Sequence, residues 1–194
     1  MNRVGGPLAG DPVRVALRAW SEGDAGWYAH CAQDPEIQRF TSDPSDLTAE
    51  RVRDAIKKLT DQPERDAYLI CGLGPGGERL GNLAVDYHGR TAEISYWVSP
   101  AARGRGVAAA AIQLLIDTLT AGGRVDWLSL WTHVDNVASR RVAEQCGFAR
   151  IATADQIRTV KGAQWPTVQY RRSVPGCSSP TAPEPDAGEA VASD

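Results

Sequence analysis

The chain has 194 residues, a formal net charge of −3 and 42% hydrophobic residues. That length suits one domain with a sizeable core and is too short for two. The charge shows no basic excess, so the composition argues against a nucleic-acid partner.

The beginning of the chain lacks the continuous apolar run of a signal peptide. The most apolar predicted helix, Val107 to Leu119, is too short to span a bilayer. Four cysteines show neither metal-ligand spacing nor a dense disulfide framework: Cys31, Cys71, Cys146 and Cys177. We therefore expect a cytoplasmic protein with reduced cysteines, no membrane contact and no metal.

Residues 1–12 are expected to be a flexible N-terminus, followed by one domain over 13–173. Val13 to Ala19 alternates in polarity and predicts a first strand. Ser21 or Asp24 can cap a helix that runs through Cys31. After a turn at 34–36 and a loop at 40–44, a second helix is predicted from Thr48 to Leu59.

Three strands then form a predicted meander: Ala67 to Leu73, Leu80 to Tyr87 and Ala92 to Val98. Glycine-rich turns at 74–77 and 88–90 join them. In the third strand the period of two places Ile94, Tyr96 and Val98 on one face and Glu93, Ser95 and Trp97 on the other.

The pattern becomes helical from about Gly104 and stops at Gly122-Gly123. A strand is predicted from Val125 to Thr132, and a helix from Asn136 to about Cys146, with Gly147 as its stop. The last two predicted strands are Phe148 to Ala152 and Trp165 to Arg172.

Residues 174–194 are rich in Pro, Ser, Ala and Gly and contain four acids but no Lys or Arg. Such a segment cannot bury enough apolar surface to offset the entropy of ordering. We expect it to be a disordered acidic tail.

The start of the long helix carries the clearest chemical signal, the run Arg103-Gly104-Arg105-Gly106-Val107-Ala108. It places two glycines and two cations where the backbone N–H groups of a helix are unpaired, and its first turn holds no carboxylate. The run has the composition of a diphosphate cradle. The alternative is a solvated Arg-Gly turn before an ordinary amphipathic helix.

Two motifs in the right order resemble the GNAT acetyltransferase superfamily. The first is Arg103-x-x-Gly106-x-Ala108, similar to that family's acetyl-CoA signature. The second is Asn136-x-x-Ser139, followed by Val142 and Cys146-Gly147-Phe148. The resemblance covers about Val13 to Arg172 and is nearest to the branch that acetylates protein N-termini, including those of ribosomal proteins.

The resemblance implies an α/β (α+β) GNAT fold, with a mixed, mostly antiparallel sheet of six to seven strands flanked by about four helices. It also implies acetyl-CoA as co-substrate. The strands of Trp97 and Trp131 would separate, and backbone groups near Val98 would bind the pantetheine. The residues implied in cofactor binding are Trp97, Val98, Arg103, Gly104, Arg105, Gly106, Val107, Ala108, Asn136 and Ser139.

Glu93 lies where several members of the family carry their base, and could act through a water. It could equally be a strand glutamate that faces solvent or an arginine. Many members carry a tyrosine seven residues after the asparagine, but this chain has Ala143 there. Ser139 is the nearest hydroxyl that could protonate the CoA thiolate as it leaves, and Tyr170 is a second candidate. The alternative is that the Ser139 hydroxyl hydrogen-bonds within the first turn of its own helix.

The first two helices of the family form a wall of the acceptor site. Trp27, Tyr28, Phe40 and Tyr170 are therefore candidate substrate contacts, with ordinary core packing as the alternative for the aromatic residues.

The resemblance implies transfer of acetyl to a primary amine, with a protein or peptide N-terminal α-amino group as the preferred acceptor. The first alternative is a small-molecule amine, such as a polyamine, an aminoglycoside or another antibiotic. The second is a non-catalytic acyl-CoA-binding module, because the usual tyrosine is absent. We expect a monomer or a homodimer.

Overall fold

A computed structural model describes residues 13–74 and 76–174 of the chain. The predicted N-terminal segment 1–12 and residues 175–194 of the predicted tail lie outside this part. Val174, which the sequence places in the tail, is buried, and its N–H donates to the backbone oxygen of Asp126 at 2.9 Å.

The described residues form eight strands and five α-helices. The strands are β1 (Val15–Ala19), β2 (Arg65–Gly72), β3 (Arg79–His88), β4 (Thr91–Val98), β5 (Trp127–His133), β6 (Ala149–Arg150), β7 (Gln156–Val160) and β8 (Ala163–Ser173). The helices are α1 (Ala25–Cys31), α2 (Pro35–Phe40), α3 (Ala49–Lys58), α4 (Val107–Gly122) and α5 (Val137–Gln145). No helix in this part of the chain is long and apolar enough to cross a membrane.

All strands join one mixed sheet in the order β1-β2-β3-β4-β5-β8-β6, with β7 paired to β8. Every neighbouring pair is antiparallel except β4 and β5. The predicted mixed, mostly antiparallel α/β sheet is confirmed, with one strand and one helix more than expected.

The two additional elements are short and have weak sequence patterns. Helix α2 has six residues, and within it only Ile37 is buried, so no apolar stripe marks it. Strand β7 is exposed at most positions and lacks a clear alternation. The strand predicted at 148–152 is shorter than expected, since only Ala149–Arg150 pairs before a 3₁₀ turn begins at Ala152.

Helix α4 covers one face of the sheet, which we call the back face. Its buried positions recur at three- and four-residue spacing: Val107, Ala111, Ile112, Leu115, Ile116 and Leu119. They pack against Ile94, Leu128 and Leu130 of the central strands. Burial of this apolar stripe, at about 25 cal/mol per Å², is the main force that holds α4 in place.

The other face, which we call the front face, is partly covered by α1, α2 and α3. Trp97 projects there and packs with Cys31 of α1 and Ile37 of α2. Helices α1 and α3 meet through Ala25, Ala29 and Val52. Further along the same face Ser95, in the middle of the sheet, is exposed. The helices therefore leave an open groove over the centre of the sheet.

Strands β4 and β5 pair only from Thr91 to Glu93 against Trp127 to Ser129. Beyond this point β4 stays with β3 as far as Val98, and β5 stays with β8 as far as His133. The sheet therefore divides into two halves, and the gap between them connects the back face with the front face.

Candidate active site

Helix α4 begins with the glycines that the sequence singled out. Gly106 is its N-cap with φ 75°, and Gly104 has φ 71°. Residues with a Cβ rarely adopt such angles, so both positions favour glycine for their backbone conformation. The first turn contains no acidic residue. The free N–H groups and the positive dipole end of this 16-residue helix suit an anion.

A cleft of about 400 Å³ extends from this helix start into the gap between β4 and β5. All the residues implied in cofactor binding line it except Arg105: Trp97, Val98, Arg103, Gly104, Gly106, Val107, Ala108, Asn136 and Ser139. These residues come from the end of β4, the start of α4 and the start of α5. The separation of β4 from β5 leaves a channel between them for an extended ligand.

Helix α2 adds a wall to this cleft that the sequence analysis missed. Ile37, Phe40 and Thr41 line its mouth. Asp34 caps the helix by accepting from the N–H groups of Glu36 and Ile37 at 3.1 and 3.0 Å. An Asp-Pro pair is a good helix start, so this signal was present, although we interpreted it as a turn.

The arginines of the helix start are held by carboxylates. Arg103 pairs with Asp34, and Arg105 pairs with Glu78 at 3.3 Å. Burial raises the pKa of Asp34, but the Arg103 guanidinium and the capping N–H groups outweigh it and hold that pKa below its usual value. Arg103 thereby ties the cradle to α2, while Arg105 extends away from the cleft.

The backbone of β4 offers polar groups to the gap. Ser99 N–H donates to Leu80 O at 2.8 Å, which directs this residue toward β3. Backbone polar groups alternate in direction along a strand. Those of Val98 and Tyr96 therefore point toward the side from which β5 has separated.

A hydroxyl pair lies beside this backbone. The Tyr96 hydroxyl donates to Ser139 Oγ at 3.1 Å, and the Ser139 N–H donates to Asn136 Oδ1 at 3.0 Å. Burial raises the pKa of Tyr96 to about 12, although the Ser139 hydrogen bond opposes it. The sequence analysis missed Tyr96, because it alternates with Ile94 and Val98 like an ordinary core aromatic.

Glu93 lies on the front face at the last paired position of β4 with β5. Its carboxylate is half-buried and accepts from Trp131 Nε1 at 3.0 Å. Glu93 therefore neither extends freely into solvent nor pairs with an arginine in the described chain. The hydrogen bond from the Trp131 indole fixes the carboxylate next to the point where β4 and β5 separate.

The candidate substrate contacts fall into three environments. Trp27 and Tyr28 pack with Trp97, with ring centroids 5.7 and 5.1 Å away, and Tyr28 donates to Asp43 at 3.0 Å. Phe40 lines the cleft, 6.0 Å from the ring of His133. Of these three residues only Phe40 lines the cofactor cleft, while Trp27 lines a separate cavity beside Arg18 and Arg79.

Tyr170 is placed differently from the expectation. It is fully buried and lies under α5, where its hydroxyl donates to Glu144 at 3.1 Å. On β8 it pairs with Leu130, a back-face core residue. Because Tyr170 has no exposed surface, its side chain packs in the core, and the structure gives no support for a direct substrate contact.

Within the described residues no group of three or more His, Cys, Asp or Glu side chains could hold a metal ion. Cys31, Cys71 and Cys146 are buried and form no disulfide there. The site brings together a carboxylate, two hydroxyls, free backbone groups and an anion cradle.

Comparison with known structures shows the same fold in several acetyltransferases. The spermidine N-acetyltransferase from Vibrio cholerae, solved with CoA and spermine, has a TM-score of 0.72 at 15% identity, covering 82% of this chain and 95% of that one. RimJ from Mycobacterium smegmatis, solved with a CoA-disulfide, has a TM-score of 0.72 at 20% identity, covering 84% and 86%.

A third structure is the acetyltransferase from Salmonella typhimurium that modifies the N-terminal serine of ribosomal protein L7/L12. It has a TM-score of 0.68 at 20% identity, covering 82% of this chain and 95% of that one. No curated protein matches the sequence.

The sequence itself matches the acetyltransferase (GNAT) domain over residues 14–149. This match runs from β1 to the first residue of β6 and therefore includes the cradle, Glu93 and the Asn136–Ser139 helix start. The chain belongs to the GNAT acetyltransferase family and is an N-acetyltransferase.

Proposed function

We propose that this enzyme acetylates the α-amino group of a protein or peptide N-terminus. The observation that carries the proposal is the gap between β4 and β5, which has an anion cradle at its back-face end and Glu93 at its front-face end. A thioester that enters from the cradle and an amine that enters from the groove would meet in this gap.

The cradle holds the diphosphate of the co-substrate through the N–H groups of the first turn of α4. Asn136 and the backbone of Val98 hold the pantetheine arm. Backbone donors near Val98 also suit the thioester oxygen, because they are already oriented when negative charge develops there.

Glu93 accepts the proton of the attacking amine, through a water where the amine does not reach it directly. An α-amino group has a pKa near ~8, whereas that of lysine is near ~10.4. The α-amino group therefore loses its proton more readily near neutral pH. Trp131 keeps the carboxylate oriented toward the groove by its hydrogen bond to Oε1.

Ser139 donates a hydrogen bond to the departing thiolate. Tyr96 donates to the Ser139 oxygen, and a hydroxyl that accepts a hydrogen bond becomes a stronger donor. The raised pKa of Tyr96 keeps this phenol protonated across the physiological range. The pair thus supplies the function that the family's usual tyrosine would perform at Ala143.

The test is release of free thiol from acetyl-CoA with a panel of amines. The panel holds peptides with free N-termini, the same peptides with blocked N-termini, polyamines and aminoglycosides. Turnover of the free peptides that disappears on blocking is expected. Turnover of only small cationic amines would replace the proposal with the small-molecule alternative.

Bound acetyl-CoA without turnover of any amine would favour the non-catalytic binding module. A lysine-blocked peptide with a free N-terminus is the matched control. Its turnover separates acetylation of the α-amino group from acetylation of side-chain amines.

A further inference from the structure

Two arginines on the front face lack a carboxylate partner among the described residues. The guanidinium carbon of Arg158 lies 4.5 Å from the ring centroid of Trp131, and that of Arg171 lies 3.9 Å from the ring centroid of Trp127. The Nε atoms of both arginines are buried without a hydrogen-bond partner in the described chain. Neither arginine forms an ion pair with a described residue.

The other arginines of the described chain include some, such as Arg124 and Arg172, that donate to backbone oxygens. Those that form ion pairs include Arg18, Arg65, Arg79, Arg103, Arg105 and Arg150. Half-buried cations without a counter-charge are costly to desolvate unless a ligand compensates them. Arg158 and Arg171 are distinguished by a buried Nε that finds no hydrogen-bond partner among the described residues, which points to an anion from outside the described chain.

Sheet register places Arg171 in the same row as the proposed base. Glu93 pairs with Ser129, and Ser129 pairs with Arg171, so the three residues form one row across the front face. The acid on the other side of Glu93 is Asp86, and it is already paired with Arg65. Along this row the Asp86 carboxylate is therefore already neutralised, whereas Arg171 has no ion-pair partner among the described residues.

Arg158 is linked to Glu93 through a single side chain. The Trp131 indole donates its N–H to Glu93 and carries the Arg158 guanidinium over its ring. An amine bound at Glu93 and a carboxylate bound at Arg158 would therefore be separated by about the width of the Trp131 indole. One residue of extended chain spans about 3.3 Å, so the first two residues of a peptide cover that separation.

We propose that Arg158, supported by Arg171, forms a carboxylate-binding subsite, and that the preferred acceptor carries a carboxylate within two residues of its amino group. This inference rests on the proposed acetylation of an N-terminal amine. Such a subsite would favour peptides with an acidic residue near the N-terminus. It would disfavour polyamines, whose further ammonium groups would be repelled by the two arginines. A guanidinium suits this task because it binds a carboxylate through two parallel hydrogen bonds.

The test compares three peptides that differ only at the second residue: Ser-Asp, Ser-Asn and Ser-Lys, each with the same neutral continuation. The wild-type enzyme should show a kcat/KM about tenfold higher for Ser-Asp than for Ser-Asn, and lowest for Ser-Lys, since a hydrogen-bonded charge pair is worth this much or more. The preference should shrink as salt is raised from 50 to about 500 mM, because screening weakens partly exposed pairs.

Three substitutions of Arg158 test the assignment. Arg158→Gln should bring the Asp-to-Asn ratio close to one, Arg158→Lys should keep part of it, and Arg158→Glu should make Ser-Lys the best substrate. Arg124→Gln is the matched control, because Arg124 also stacks on an aromatic ring, that of Tyr87 at 3.8 Å, but in another part of the molecule. The control should retain the wild-type preference.

Equal rates for the three peptides with wild-type enzyme would overturn the subsite while leaving N-terminal acetylation intact. A preference for Ser-Asp that persists in Arg158→Gln would also overturn it. Turnover of free aspartate or serine but of no peptide would support a carboxylate subsite and overturn the proposed peptide acceptor. Absence of turnover with every peptide and amino acid would overturn both.

Discussion

The two ends of the gap between β4 and β5 are built in different ways. At the back-face end the residues of the cradle follow one another along the chain, from Arg103 to Ala108. At the front-face end Glu93, Trp131 and Arg158 come from three different strands. The first end depends on local backbone conformation and the second on the register of the sheet. Binding of the co-substrate and choice of the acceptor should therefore be separable by mutation.

The largest effect is expected from Gly106→Glu. The new side chain would require an unfavourable φ of 75° and would place a carboxylate against the diphosphate. We expect CoA affinity in calorimetry to fall by roughly 100-fold or more, since like charges in contact repel by several kcal/mol at the dielectric of a protein surface.

Gly89→Glu is the matched control for this substitution. Gly89 also has a positive φ, 59°, but lies in the turn between β3 and β4, where nothing lies within 4 Å of an added Cβ. The Gly89→Glu variant should bind CoA with wild-type affinity. Unchanged CoA affinity in Gly106→Glu would remove the cradle assignment.

Glu93→Gln tests the front-face end alone. Loss of the base should lower kcat by about 100-fold, the low end of the range for general base catalysis. CoA affinity should stay as in the wild type, because Glu93 does not line the cofactor cleft. Full activity at neutral pH would show that Glu93 is not the base.

Tyr96→Phe and Ser139→Ala test the hydroxyl pair that lies between the two ends of the gap. Each should lower kcat by about tenfold, the loss expected for one hydrogen bond to a charged group. The double variant should cost little more than either single one, because the two hydroxyls act in series. Independent, multiplying losses would contradict the series arrangement.

Asp24→Asn should affect stability and leave both ends intact. Asp24 is buried and bonds Arg18 of β1 at 2.9 Å and Arg79 of β3 at 2.8 Å. Removing its charge leaves two arginines without their partner, and we expect the free energy of unfolding at pH 7 to fall by about 2–3 kcal/mol. Urea denaturation measures this loss, and thiol release at 25 °C should show near wild-type kcat.

The same residue predicts a dependence on pH. Burial raises the pKa of Asp24, but hydrogen bonds from Arg18, Ser21 and Arg79 outweigh it and hold that pKa well below the usual 3.8. Its stabilisation is therefore complete above pH 3.8 and decreases as the pH falls below that value. Asp24→Asn should flatten this acid-side loss, and an identical pH profile for variant and wild type would contradict the assignment.

Several features of the site could be predicted from the sequence because they depend on near neighbours in the chain. Gly104 and Gly106 meet a local backbone requirement, and Asn136 caps the helix that it begins. The alternation from Glu93 to Val98 correctly separated the two faces of β4. In each case the information lies within a few residues, where dihedral preferences and hydrogen-bond spacing decide the structure.

Other features were decided only by the tertiary structure. Tyr96 and Ser139 are 43 residues apart, and the pair forms because the start of α5 lies against the end of β4. Tyr170 looked like a site residue, but the register of β8 with β5 turns it into the core beside Leu130. Arg158 stacks on Trp131 because it lies on β7, a strand that the sequence pattern did not reveal. Sequence periodicity sets the direction of a side chain within its own strand, whereas its neighbours depend on which strands pair and where they separate.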